Sequence, residues 1–177
     1  MTGRPDLTSA RLRYEPLEPR HAALLAAALT DPRVNAHFAE GGPATPGELE
    51  ASFARKIAGA RDYPGELWLD FAVRLSGSET YIGRVEATVQ GRDAELAYLI
   101  GPVFWGAGYG REAAQWIERH CALHHGVKRF WATVAPGNAR SVRLLRAIGY
   151  APVPPPTDPV LTSYDPGDLV FARDVAA

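Results

Sequence analysis

The stretch from Ala94 to Ala113 narrows the folds open to this chain more than any other. Ala94 to Ile100 alternates and reads as a strand. Gly101 to Gly110 is glycine-rich and closes on Gly106-x-Gly108-x-Gly110, and helical spacing begins near Arg111, with Ala113, Ile117 and Cys121 on one side. Three glycines at alternate positions leave backbone without side chains, so N–H groups can converge on one anion. The helix that follows adds its free first-turn N–H groups and the positive end of its dipole. Strand, turn and helix together make a pyrophosphate site. The plain alternative is a bend that only reverses the chain.

The rest of the chain has to fit around that unit. Leu12 to Leu17 reads as a strand, and Arg20 to Leu29 as a helix with Leu24, Leu25, Ala28 and Leu29 on one face. Thr30-Asp31-Pro32 reads as a stop and Glu40 to Pro46 as a loop. Thr45, Pro46 and Glu48 resemble an N-cap, an N1 proline and an early acid, opening a helix with Leu49, Phe53 and Ile57 as its apolar stripe. Leu67–Leu75, Thr80–Gln90 and Ala94–Ile100 are joined by short turns, which implies an antiparallel meander. After the glycine turn and its helix, Arg129–Val134 reads as a strand and Ala139–Ile148 as a helix. An extended segment begins at Tyr150, then come a proline-rich loop, Val153 to Asp168, and a last strand, Leu169 to Val175. This order predicts an α/β fold of the α+β type, with a mixed, mostly antiparallel sheet of six or seven strands and about four flanking helices. At 177 residues, 46% of them hydrophobic, the chain suits one domain over 1–177, with its core in 10–175 and the pyrophosphate unit in 94–125.

Which pyrophosphate ligand would it take? No Gly-x4-Gly-Lys-Ser/Thr string is present, so a P-loop is excluded. Gly108 to Ala113 does match the Gly-x-Gly-x-x-Gly/Ala dinucleotide form, which needs an acid about 20 residues on to hold the ribose. Between Glu118 and Asp158 there is no acidic residue, while Arg119, Lys128, Arg129, Arg140, Arg143 and Arg146 all lie there. That suits an additional phosphate better than a bare ribose. Coenzyme A has a pyrophosphate, a 3′-phosphate and a two-amide arm that could add to an open strand edge.

Three strings resemble the GNAT superfamily of acetyltransferases, and within it the branch of ribosomal-protein N-terminal (alanine and serine) acetyltransferases. They are Ala94–Ile100, Trp105–Ala113, and Asn138–Leu145 with Ile148-Gly149-Tyr150. The resemblance spans residues 10–175, and its specific part is 94–153. Trp105 stands where much of the superfamily has Gln or Arg, although aromatic residues are usual there in this branch. The resemblance implies that the fourth and fifth strands splay apart and that acetyl-CoA is the co-substrate. Backbone of Leu99 and Ile100 would pair with the pantetheine arm, and the turn Trp105, Gly106, Ala107, Gly108, Tyr109, Gly110 and Arg111 would hold the pyrophosphate. Asn138 would contact the arm, and the adenosine end would lie by the helix carrying Arg143.

Acyl transfer from a thioester to an amine needs placement, a proton acceptor for the amine, and a donor for the carbonyl oxygen. By resemblance Glu95 is the base, against an equal reading as a solvated residue or a tie within the sheet; Glu86 is the other carboxylate. Ser141 matches a general acid facing the thiol, against a helix-capping hydroxyl. Tyr98 and Tyr109 read as packing residues. The acceptor is a primary amine on a protein N-terminus or a small molecule. A non-catalytic acyl-CoA-binding module and a dinucleotide oxidoreductase are the other two readings.

Nothing else in the composition points elsewhere. With 19 basic and 20 acidic residues, neither nucleic acid nor an anionic membrane is an expected partner. Met1 to Ser9 has no apolar signal region and Gly3 is misplaced for myristoylation, so a cytoplasmic protein is expected. Cys121 reads as a small buried hydrophobe. His120 and His124 are spaced as a metal pair but lack a third ligand, so no metal is expected. A homodimer is compatible with the sequence.

Overall fold

A computed structural model describes residues 6–38, 41–59, 63–159 and 161–175. Glu40 and Val160, both in segments read as loops, and residues 60–62 lie outside the described residues. The elements run β1 (Leu12–Pro16), α1 (Arg20–Leu29), α2 (Pro32–Asn35), α3 (Pro46–Ala58), β2 (Glu66–Leu75), β3 (Tyr81–Gln90) and β4 (Asp93–Ile100). After one 3-10 turn at Pro102–Phe104 come α4 (Tyr109–His125), β5 (Arg129–Val134), α5 (Ala139–Ala147), β6 (Ala151–Val153) and β7 (Leu169–Asp174).

One seven-stranded sheet has the order β1-β2-β3-β4-β5-β7-β6. Every neighbouring pair is antiparallel except β4 with β5. A doubly wound dinucleotide fold needs a mostly parallel sheet, so the oxidoreductase reading loses its scaffold.

Strand alternation divides the molecule. On β3, Val85, Ala87 and Val89 are buried against α4, which contributes Ala113, Ala114, Trp116, Ile117 and Cys121. Cys121 is fully buried, and burial pushes its thiol up to about 12, so it packs rather than reacts. On the other face Leu25, Leu29, Leu49 and Phe53 of α1 and α3 close over Ala72 and Tyr81. Between these apolar residues of β3 stand Arg84, Glu86 and Thr88, facing the second side.

Local capping explains both helices around residues 31–58. Thr45 accepts from the Glu48 N–H while Glu48 accepts from the Thr45 N–H, a reciprocal box with Pro46 in the first turn. Asp31-Pro32, read from sequence as a stop, also starts a helix: Asp31 Oδ1 accepts from the Arg33 N–H at 2.9 Å and Pro32 takes the first helical position. The short α2 is therefore the helix that sequence periodicity missed.

The feature that positions the site is a failure of pairing. β4 and β5 are in register only at Asp93↔Arg129, Ala94↔Phe130 and Glu95↔Trp131. Beyond Glu95 the strands part, while β7 pairs with the other edge of β5 along its whole length. A cleft opens between Leu96–Ile100 and Ala132–Val134. Among the described residues no helix is long and apolar enough to cross a membrane.

Candidate active site

The glycine turn adopts the backbone its sequence allows. Gly106 and Gly108 have φ of 82° and 83°, a region that penalises any residue with a Cβ. Gly108 is the cap from which α4 starts at Tyr109, earlier than apolar spacing indicates. Gly110 serves another purpose: a Cβ there would meet Leu144 Cδ1 at 3.2 Å, so its absence lets α4 approach α5. Arg11 clasps the turn from outside. Its Nη1 donates to the Ala107 carbonyl at 2.9 Å, its Nε donates to Glu112 Oε2 at 2.8 Å, and its guanidinium lies over the Tyr109 ring.

Inside the turn is a cavity of about 280 Å³. Leu99, Ile100, Trp105, Gly106, Gly108, Tyr109, Gly110, Arg111, Asn138 and Ser141 all line it, as the resemblance implies. Two expected residues do not. Ala107 turns its carbonyl to Arg11, and Arg143 lies about 200° around α5 from Ser141 at 100° per residue. Arg140 takes the place expected of Arg143, with its guanidinium 3.2 Å from the Trp105 ring centroid. With Arg33 and Arg111 it makes the charged lining wholly basic among the described residues.

Backbone direction refines the expected pantetheine contacts. Lys128 N–H donates to the Arg92 carbonyl, and Gly101 N–H donates to the Ile82 carbonyl. Because successive residues of a strand point their polar groups to opposite sides, even-numbered residues from 92 to 100 face the cleft and odd ones face β3. Leu99 therefore spends its backbone on β3, and Tyr98 replaces it as the residue with free backbone groups in the gap. Ile100 faces the gap too, but its carbonyl accepts from the Trp105 indole at 2.6 Å, leaving its N–H.

A second cavity, about 510 Å³, continues through the cleft. Val34, His37, Tyr98, Leu99, Asn138 and Ser141 line both, so they mark the junction. Sequence reading missed Arg33, Val34 and His37 because α2 was taken for a stop. The second cavity carries the carboxylates of Glu86, Asp165 and Asp168 against one guanidinium, Arg84. Glu86 is ion-paired with Arg84 and, at 2.6 Å, with Lys56 from α3; Asp70 lies 3.4 Å from Lys56. The register Asp70↔Glu86 and Ala72↔Arg84 puts this quartet on one face. Burial lowers the Lys56 ammonium to about 8 and also pulls the Arg84 guanidinium down. Of the acids on α3, Glu48 is spent in the capping box and Glu50 is exposed.

At the junction Ser141 Oγ and Tyr98 OH share a hydrogen bond of 2.8 Å. The capping role falls to Asn138, whose Oδ1 accepts from the Ser141 N–H at 3.1 Å. Burial pushes the Tyr98 phenol up to about 12, so it stays protonated.

Glu95 sits at the apex of the splay, 7% exposed. Its carboxylate accepts from Thr162 N–H at 2.6 Å, Thr162 Oγ1 at 3.0 Å, Ser163 N–H at 3.3 Å and the Ser163 hydroxyl. These contacts tie the sheet to the proline-rich loop.

His120 lines neither cavity. Its ring stacks on Trp116, whose indole stacks on Tyr14 at 3.7 Å, and meets Phe71 edge-on.

A mixed sheet splays beside a glycine turn at the start of α4, and the comparisons with known proteins give this arrangement its class, an acyltransferase. The chain matches the family model of the GNAT acetyltransferase domain over residues 11–151 and belongs to that family. A comparison with curated protein sequences gives no match. Among solved structures it is similar to a GNAT-family acetyltransferase from Bacillus anthracis, at 18% identity and TM-score 0.76, covering 95% of this chain and 97% of that one. It is also similar to a putative ribosomal-protein-serine acetyltransferase from Vibrio cholerae, at 18% identity and TM-score 0.74, covering 99% and 100%. A third is the ribosomal L7/L12 alpha-N-protein acetyltransferase RimL in complex with coenzyme A, at 15% identity and TM-score 0.66, covering 94% and 96%. At these identities the likeness is one of fold.

Proposed function

We propose that this acyltransferase uses acetyl-CoA and passes the acetyl group to a primary amine on a protein N-terminus or a small molecule. The observation that carries this reading is the meeting of a basic and a mainly acidic cavity at Ser141. The basic half fits coenzyme A: a glycine cradle and helix start for pyrophosphate, Arg33, Arg111 and Arg140 for further phosphate, and the free backbone of Tyr98 for an amide arm. The coenzyme A bound to RimL supports it. The acidic half fits an amine.

Acetyl-CoA supplies the acetyl group already activated as a thioester. Placement of the amine at the junction makes the encounter intramolecular. His37 and Glu86 face the acceptor side and can take the proton the amine loses. Ser141 Oγ, hydrogen-bonded to the protonated Tyr98, holds a proton for the departing sulfur. A shared hydroxyl pair placed at the junction favours a catalyst over a purely binding module.

The test is release of free CoA thiol from acetyl-CoA with a serine-initiated peptide and with putrescine. Amine-dependent release is expected. Tight acetyl-CoA binding without release across a broad amine panel would favour the binding module instead.

A further inference from the structure

We infer that Glu95 is a positioning residue, a latch that holds the loop Leu161–Asp168 over the acceptor cavity, and that it does not take the amine's proton. The inference rests on reading the second cavity as the acceptor site.

Three observations converge. First, the carboxylate is full. An ionised carboxylate offers about four lone-pair positions, and Glu95 accepts from four donors on two consecutive loop residues, Thr162 and Ser163. Thr133 Oγ1 lies 3.5 Å from the same group and 2.7 Å from Ser163 Oγ, closing the ring from β5. A base needs a lone pair aimed at the substrate, and these are aimed at the loop. Second, what the loop does depends on that hold. Thr162, Ser163, Asp165 and Asp168 line the acceptor cavity, while Leu161 and Tyr164 pack on Trp131 and Val170. The carboxylate thus orders the acids that face the acceptor. Third, Glu95 is the last β4 residue paired with β5, and its neighbour Leu96 lines the cavity. Loop and cleft share one anchor point. Hydrogen bonds to an ionised acceptor are roughly twice as strong as neutral ones, which suits a carboxylate to this task.

The test uses the full chain and two variants, Glu95→Gln and Ser163→Ala. Glutamine keeps the shape but turns an NH2 donor toward N–H and hydroxyl donors. One readout needs no acceptor: the rate at which chymotrypsin cuts after Tyr164. The other is steady-state acetylation of a serine-initiated peptide, with acetyl-CoA affinity as control. For Glu95→Gln a latch gives cleavage faster by about tenfold, since opening frequency follows the lost hydrogen bonds. It also gives an acceptor KM raised by about tenfold, kcat within about threefold, and unchanged acetyl-CoA affinity, because uniform binding is what was lost. Ser163→Ala moves the same quantities the same way by less, although a serine there cannot be the base. Unaltered cleavage in both variants overturns the latch. So does a hundredfold fall in kcat for Glu95→Gln at constant acceptor KM with Ser163→Ala silent, the pattern of a lost base. If Glu95→Gln does not fold, Ser163→Ala decides by cleavage. If the wild-type chain acetylates no amine, the proposed transfer fails, and the cleavage rates still decide the latch.

Discussion

The two cavities that meet at Ser141 are built by different means. The basic one has a centre made of neighbours in sequence: its turn, cap and helix start all fall within Ile100–Arg111, and its rim, with Arg33 from α2 and Asn138 and Arg140 at the start of α5, comes from elsewhere. The acidic one is assembled from far apart. Lys56 reaches Glu86 across 30 positions, and Glu95 holds Thr162 across 67. A ligand common to a whole family is suited to fixed backbone geometry. A ligand that differs between members is suited to side chains on strands and on a loop, which can change without disturbing the turn.

The largest effect concerns the packing of α4, the helix whose start serves the cofactor half. Burial, with His124 and His125 nearby, lowers His120 to about 4, against about 6.5 when unfolded. The folded chain keeps this imidazole neutral, so its stability is complete above about pH 6.5. As pH falls the unfolded chain gains a proton that the folded chain refuses, and stability drops until about pH 4. The total is about 3 kcal/mol. Urea unfolding at pH 7 and at pH 4.5 should show this loss, and His120→Gln should remove the largest share of it, the rest belonging to His21 and His125, which burial also lowers; an equal loss in the variant would assign acid sensitivity elsewhere.

Next comes the junction. Ser141→Ala should lower kcat by roughly a hundredfold, in the range of a general acid, with acetyl-CoA affinity unchanged because the hydroxyl serves the reaction. A loss of affinity equal to the loss in kcat would make Ser141 part of the cofactor half alone. A smaller effect should strike that half alone. Gly108→Val forces a β-branched residue to φ 83°, costing about 1–2 kcal/mol, so acetyl-CoA should bind about tenfold more weakly. The KM for the amine should stay where it was. Parallel losses of both would show that the two halves are not separable.

The same contrast explains what sequence could reveal. The strands, the main helices, the capping box at Thr45 and the glycine turn are written in residues a few positions apart, and ten of the twelve expected cofactor residues line one cavity. What sequence could not give there is phase: Arg143 lies about 200° around α5 from Ser141, and the backbone of Leu99 faces β3 while the residue still lines the cavity. Both periods, 3.6 and 2, were available, but a phase requires one known contact. Asp31-Pro32 is as good a helix start as a helix end, and reading only the end hid Arg33 and His37. The contacts of Glu95 had no local trace. Its partners lie beyond two helices, two strands and a run of prolines, and only the return of β7 beside β5 brings that loop to the apex of the splay.

The central claim is that the Gly106–Gly110 turn and the open β4 edge hold acetyl-CoA. Calorimetric titration of the full chain with acetyl-CoA, with NADH as control and Gly108→Val as the weakened variant, tests it most directly. Micromolar binding of acetyl-CoA, reduced in the variant and absent for NADH, is expected. No heat with acetyl-CoA, or binding that Gly108→Val leaves unchanged, would contradict it.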